Sequence, residues 1–395
     1  MKKLSIILII VFVFGCAGQN INRYKDTAPP KKTQQTTKHI QKEKATLETR
    51  QKTILFENLD AAFIAMNKNL NELNDEAVRS AFEIAVDVLK KDPDHIRANI
   101  VLFNAYLYKA NEEQTVEQFN KLAVLEPKKP ESCIELGTLF ARLGRVSEAI
   151  VLFQRSVELD PNFVEGYYNL GRAFSLKRQF DQSINAYTKT IELAPKHHRA
   201  LNNLGWIYMI KKDYKKAKEH INKAIENKPD YGVAHLNLGT INLLQQDFDL
   251  AEKNFKHFIE LKPEDPEGYR NLASVYQKKQ QFDDAITMFR KLLKYKPDDY
   301  VAMNNLAVLL LSKARYGESV RLLQEVYNAD IKNSKFKAEV KKSLALASFH
   351  LAETLATHAD KKQQAVKAYE DYLNYSDNLS ETAIQQVKDK ITALQ

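Results

Sequence analysis

The side chains of this chain that could do covalent or metal chemistry are few: two cysteines, at 16 and 133, and nine histidines. Two thiols can build neither a disulfide framework nor a cysteine-based zinc site. His197 and His198 are adjacent and flanked by Lys196 and Arg199, a setting that reads as a solvated loop rather than a ligand pair. His235 shares a slot, at intervals of 34, with Cys133, Tyr167, Leu201, Tyr269 and Met303. That is a packing slot, so His235 reads as a structural histidine and Cys133 as an inert core thiol. The sequence holds no phosphate-binding glycine loop, no HExxH, no G-x-S-x-G and no paired-cysteine spacing. The expectation is therefore no catalytic residue, no metal, no cofactor and no small-molecule substrate. An envelope hydrolase is the remote alternative.

Composition narrows the class further. Glycine and proline are scarce, at 11 each in 395 residues, which disfavours tight turns and points to long helices. The formal charge of +9 invites a nucleic-acid reading, but its location removes it. Residues 17–52 hold nine Lys or Arg against three Asp or Glu, and Lys2 and Lys3 add to them, so the 343 residues that follow carry only +1. A nucleic-acid binder would place the basic stripe on its folded surface.

The N-terminus carries the first specific motif. A charged start, Met1-Lys2-Lys3, is followed by an apolar run from Leu4 to Phe14 broken only by Ser5. The run is about half the ~20 residues a spanning helix needs, and it reads as a signal peptide. Its end, Val13-Phe14-Gly15-Cys16, resembles the lipobox of bacterial lipoproteins. The resemblance implies cleavage before Cys16, with acylation of its sulfur and freed amine. Two or more acyl chains, at about 0.8 kcal/mol per buried methylene, anchor stably. Ala17 after the cysteine, by resemblance to enterobacterial sorting rules, implies an outer-membrane, periplasm-facing location. Residues 16–50 are polar and basic, cannot offset their ordering entropy by burial, and read as a lipidated cysteine followed by a disordered tether.

The rest of the chain is periodic. Prolines at 93, 127, 161, 195, 229, 263 and 297 are all 34 apart. So are Leu136, Leu170, Leu204, Leu238, Leu272 and Leu306, each followed by Gly or Ala. A third series, Ala149, Ser183, Ala217, Ala251, Ala285 and Ser319, keeps the same interval. Self-similarity at this length means a stacked array. Within a unit, Tyr167, Leu170, Gly171 and Phe174, then Ile184, Tyr187 and Ile191, follow the 3.6 period of two amphipathic helices. The pattern resembles the tetratricopeptide repeat. The resemblance implies an all-α solenoid of helical hairpins wound into a superhelix, with the tether at its N-terminus. The expected organisation is a signal peptide at 1–15, the tether at 16–50, a degenerate N-terminal repeat or cap at 51–95, seven repeats over 96–333, and a degenerate repeat with a capping helix at 334–395.

Numbering each repeat so that the Gly/Ala is eighth and the proline thirty-second, positions 4, 7, 8 and 11 form the expected core stripe. Positions 2, 5, 6, 9, 12 and 13 lie on another face, which in tetratricopeptide arrays lines the concave groove. Position 6 is Asn169, Asn203, Asn237, Asn271 and Asn305, and position 5 adds Asn202 and Asn304. A side-chain amide both donates and accepts, so a ladder of amides suits the backbone of an extended polypeptide; the alternative is that Asn is simply the commonest residue at this position of the family. Trp206, Met209, Ile210, Leu243 and Leu244 form an apolar centre, flanked by Arg172 and Arg270, as an interface hot spot would.

These readings combine into a lipid-anchored interaction scaffold of the cell envelope whose partner is a polypeptide. The order of signal, cysteine, tether and repeat array resembles that of pilotin-type lipoproteins of type IV pilus assembly. The alternative is a self-associating structural component with no peptide client.

Overall fold

The computed structural model describes residues 54–67 and 73–395. Cys16, at which a lipobox is expected, and the expected signal peptide and tether lie outside the described residues. Among those described, every regular element is helical and no strand occurs. None of these helices is long and apolar enough to cross a membrane. The chain divides after Leu125 into two compact units.

The first unit holds α1 (54–66), α2 (Asp75–Leu89), α3 (Ile96–Tyr108) and α4 (Glu112–Ala123). Leu59, Met66, Val78, Ala85 and Val101 form its core. Stepping back 34 from Ile96 would start a helix at 62, yet α1 is already helical at 54 and ends at 66. The first helix is thus out of register with the repeats that follow.

The second unit repeats one hairpin. The first helices are α5 (Pro130–Arg142), α7 (Val164–Leu176), α9 (His198–Ile210), α11 (Gly232–Leu244), α13 (Pro266–Lys278) and α15 (Tyr300–Ser312). The second helices are α6 (Val146–Leu159), α8 (Phe180–Leu193), α10 (Tyr214–Asn227), α12 (Phe248–Leu261), α14 (Phe282–Tyr295) and α16 (Tyr316–Asn328). The unit ends with α17 (Ser334–Ala356), α18 (Lys362–Tyr375) and α19 (Glu381–Leu394).

One turn closes every hairpin. Position 15 is left-handed in each repeat, with φ of 79° at Gly144, 57° at Arg178, 62° at Lys212, 64° at Gln246, 59° at Gln280 and 57° at Ala314. Around Gly144 the Arg145 N–H donates to the Phe140 carbonyl at 2.8 Å and the Gly144 N–H to the Ala141 carbonyl at 3.1 Å. This paired pattern satisfies carbonyls that the helix end would otherwise leave bare. Five residues bearing side chains accept a conformation that costs an L-residue about 1 kcal/mol, so the turn geometry is imposed by the array.

Close approach of the two helices explains position 8. A methyl group on Gly171 would stand 2.6 Å from the Tyr187 ring, and one on Gly137 2.5 Å from Phe153. Position 24 therefore inserts a large side chain where position 8 has none. Where position 20 is serine it adds a hydrogen bond: the Ser183 hydroxyl donates to the Gly171 carbonyl at 2.6 Å and that of Ser319 to the Ala307 carbonyl at 2.8 Å.

The buried stripe is wider than the four positions expected. Leu139, Ala173, Ile207, Ile241, Val275 and Leu309 at position 10 are all buried, as are Gly166, Ala200, Ala234, Gly268 and Ala302 at position 3. The reason is that each first helix meets two second helices. Position 8 faces its own partner, while a methyl on Gly166 would meet Ser156 and Val157 of the preceding α6. Full burial of side chains such as Phe255 and Phe289 contributes about 2–3 kcal/mol each. No single hairpin could supply that alone.

The array's end departs from the turn rather than from the interval. Helix α17 begins at Ser334, 34 residues after Tyr300, but runs for 23 residues. At position 15 it carries Ser348, which is buried, so the helix passes through the point where the others turn. Packing of Phe349, Tyr369, Tyr372 and Val387 then closes the end.

Candidate functional site

On the face carrying positions 5, 6, 9 and 13, two cavities indent the second unit. One, of about 360 Å³, is lined by Arg172, Ser175, Leu176, Tyr187, Asn202, Asn203, Trp206, Val233 and Asn237. The other, of about 160 Å³, is lined by Thr138, Ala141, Arg142, Phe153, Asn169, Arg172, Ala173 and Leu176. They share Arg172 and Leu176, so they form one trough across α5, α7, α9 and α11.

An exposed apolar side chain recurs at one repeat position, and the first of the three, Leu176, lines both cavities. Leu176, Ile210 and Leu244 all hold position 13, 34 residues apart, and are 65%, 40% and 53% exposed. Trp206 at position 9 stands beside them, 37% exposed. Apolar groups this exposed, in register over three repeats, are available to a partner. Met209 and Leu243, expected beside Trp206, instead turn half-buried into the core, Met209 with Leu201 and Ile221 and Leu243 with Leu272 and Phe289. Leu176 was not singled out from the sequence, although the interval of 34 that reaches Ile210 and Leu244 also reaches it.

Three of the seven asparagines are linked to one another. Asn237 donates to Asn202 Oδ1 at 2.9 Å across adjacent repeats, Asn202 donates to Asn203 Oδ1 at 3.3 Å, and Asn203 donates to the Tyr187 hydroxyl at 3.1 Å. Burial pushes the Tyr187 phenol up to about 12, so it stays neutral and keeps its hydrogen-bonding role. Asn169 is buried, and its amide donates to the Glu165 carbonyl and carboxylate at 2.9 and 3.1 Å. Asn271 and Asn305 are half-buried. The Asn304 side-chain oxygen is buried with no hydrogen-bond partner among the described residues. Asn202, Asn203 and Asn237 thus form a network that ties two repeats together and offers the trough a polar wall.

The two arginines separate. Arg270 is not a groove cation: it pairs with Asp299 at 2.5 Å and with Glu267 at 3.3 Å, joining neighbouring repeats. Burial works against the Asp299 carboxylate, but Arg270 and the Ala302 N–H outweigh it and hold it below the usual range. Arg172 remains in the trough, its guanidinium 5.9 Å from the Tyr168 ring centre and 3.4 Å from Asn169 Oδ1.

The remaining candidates are structural. His235 Nε2 lies 2.9 Å from the Pro229 carbonyl, and the Tyr269 hydroxyl donates to the Pro263 carbonyl at 2.8 Å. Both position-4 side chains therefore satisfy the carbonyl of the proline six residues back. The Cys133 thiol is fully buried and burial pushes its pKa up, which suppresses the reactive thiolate. His197 caps α9, its Nδ1 accepting from the Ala200 N–H at 3.1 Å, and its ring packs 4.8 Å from Tyr168. Among the described residues no group of His, Cys, Asp and Glu is arranged to hold a metal ion.

Models of the tetratricopeptide repeat match residues 137–177, 164–197, 198–231, 233–265 and 270–334. The array is one of tandem tetratricopeptide repeats, a scaffold generally used for protein–protein interaction rather than catalysis. No curated protein sequence gives a significant match. Similar solved structures include a chain of the APC/C hetero-tetramer Cut9–Hcn1, 20% identical, covering 68% of this chain and 52% of that one with a TM-score of 0.48. They also include the Pseudomonas aeruginosa pilF protein, 19% identical, covering 53% of this chain and 97% of that one at 0.47. PilW, described as a type IV pilus biogenesis factor, is 17% identical over the same shares at 0.49. At these identities the likeness is one of fold.

Proposed function

We propose that this protein is a lipid-anchored scaffold of the cell envelope that binds a polypeptide segment in the trough over α5, α7, α9 and α11. The observation that carries the binding role is the register of Leu176, Ile210 and Leu244, three exposed apolar side chains in three successive repeats, the first of which lines the 360 Å³ cavity together with Trp206. A protein leaves such a strip in water only at a cost of about 25 cal/mol per Å² that a partner can recover. The amide network beside the strip presents oxygens and N–H groups to the partner's backbone. Anchoring rests on the sequence around Cys16, and an outer-membrane position facing the periplasm on Ala17. The order of signal, cysteine, polar stretch and repeat array supports a pilotin-type role, in which the client is an envelope protein on its way to assembly.

Two measurements test the two halves. Full-length chain, solubilised from its own membranes, is used to capture partners with and without the pair Leu176→Ser and Trp206→Ala, circular dichroism confirming equal helicity. The expected result is loss of the captured protein from the double variant. Equal capture by both forms places the binding surface elsewhere. For the anchor, Cys16→Ser is expected to move the protein from the membrane to the soluble fraction and to abolish labelling by radioactive palmitate. Retention in the membrane with unchanged labelling overturns the lipoprotein reading.

A further inference from the structure

The charge of the trough is one-sided. Among the described residues its walls contain two arginines, Arg142 and Arg172, and no carboxylate. The two contacts that Arg172 makes, with the Tyr168 ring and Asn169, are both to neutral groups. Glu165 reaches it only through Asn169, whose amide it accepts from. Arginine is the cation whose planar fork matches a carboxylate. Arg172 also stands at a particular place: it lines both cavities, beside Leu176, which lines both as well. On one side of it the trough continues to Trp206 and Val233, on the other to Thr138 and Phe153.

From this one-sided charge and its place we infer that the bound segment carries an internal acidic residue next to a large apolar one. The carboxylate is received by Arg172, while the apolar side chain enters the 360 Å³ cavity against Leu176 and Trp206. The acidic group is internal because Arg172 lies where the two cavities meet, so the chain runs on past it in both directions. This inference rests on the trough as the binding site and adds the chemistry that selects its occupant.

A random peptide library displayed on phage, panned against the full-length chain and in parallel against Arg172→Glu, tests it. The wild type should enrich sequences with Asp or Glu within two residues of Leu, Ile, Phe or Trp, and the reversed chain should enrich Lys or Arg at that place. A resynthesised wild-type binder, followed by the emission of Trp206, the chain's single tryptophan, should bind Arg172→Glu at least tenfold more weakly. Its Lys-for-acid version should recover affinity on the reversed chain. Enrichment of apolar sequences with no acidic preference, lost on Leu176→Ser, overturns the acidic partner and keeps the trough. Equal binding of a peptide whose only carboxylate is its C-terminus overturns the internal placement. No enrichment, or enrichment that survives Leu176→Ser with Trp206→Ala, overturns both this inference and the trough itself.

Discussion

Gly171 and Gly144 are the same residue type with opposite reasons for being there. Gly171 sits in mid-helix, where alanine would gain about 1 kcal/mol of helix propensity. Its added methyl would nevertheless stand 2.6 Å from the Tyr187 ring, and overpacking of this kind costs about 1–3 kcal/mol. Gly171→Ala is expected to lower stability by about 1 kcal/mol net, to shift Tyr187, and so to disturb Asn203 in the trough wall. Gly144 has nothing within 4 Å of its missing methyl but a φ of 79°. Gly144→Ala should cost about 1 kcal/mol through the backbone alone and leave the trough unchanged. Urea unfolding of the two variants, with Trp206 emission as a local probe, separates the mechanisms. Equal spectral effects would contradict the packing account of position 8. The small residues at position 8 were legible in the sequence because repetition isolates them. The occupancy of the asparagines was not, since it depends on Tyr187 from another helix and on Asn202 from another repeat. Arg270 was misread for the same reason: its partner Asp299 lies 29 residues away and becomes a neighbour only after stacking.

At the scale of an element, α9 carries the centre of the trough and is capped by a titratable side chain. His197 Nδ1 must be unprotonated to accept the Ala200 N–H. Burial lowers the pKa of His197, and likewise of His198 and His220. A histidine whose folded pKa lies below its unfolded value contributes stability that is fully present above about 6.5 and is lost as pH falls through that value toward the folded one. Protonation also places a cation at a helix N-terminus, where the macrodipole disfavours it. The melting temperature is therefore expected to fall between pH 7.5 and 5.5. His197→Asn, which keeps a capping acceptor but cannot titrate, should show a shallower fall, with His198 and His220 supplying the remainder. An unchanged slope in the variant would remove His197 from the account. The sequence placed the first helices well because their apolar spacing is strong. It missed the burial of positions 3 and 10 because an isolated helix shows one apolar stripe, whereas a helix held between two second helices buries two flanks.

For the second unit as a whole, the repeat interval accounts for the turns, the close approach at position 8 and the proline junctions. The binding face is written in the departures from it. Position 13 is Arg142, Leu176, Ile210, Leu244, Lys278 and Ser312 in successive repeats, so the apolar strip occupies the second to the fourth. A consensus array would carry no such local variation, and function is argued from those residues rather than from the fold. The most direct test puts a photo-crosslinking amino acid at Leu176, Ile210 or Leu244 of the full-length chain in its source cell. Matched probes go at Asn185 and Thr287, which are exposed on the second helices. The account predicts that the three position-13 sites cross-link to one and the same foreign polypeptide and that Asn185 and Thr287 do not. Cross-links confined to Asn185 and Thr287, or to a second copy of this chain from both faces, would contradict it.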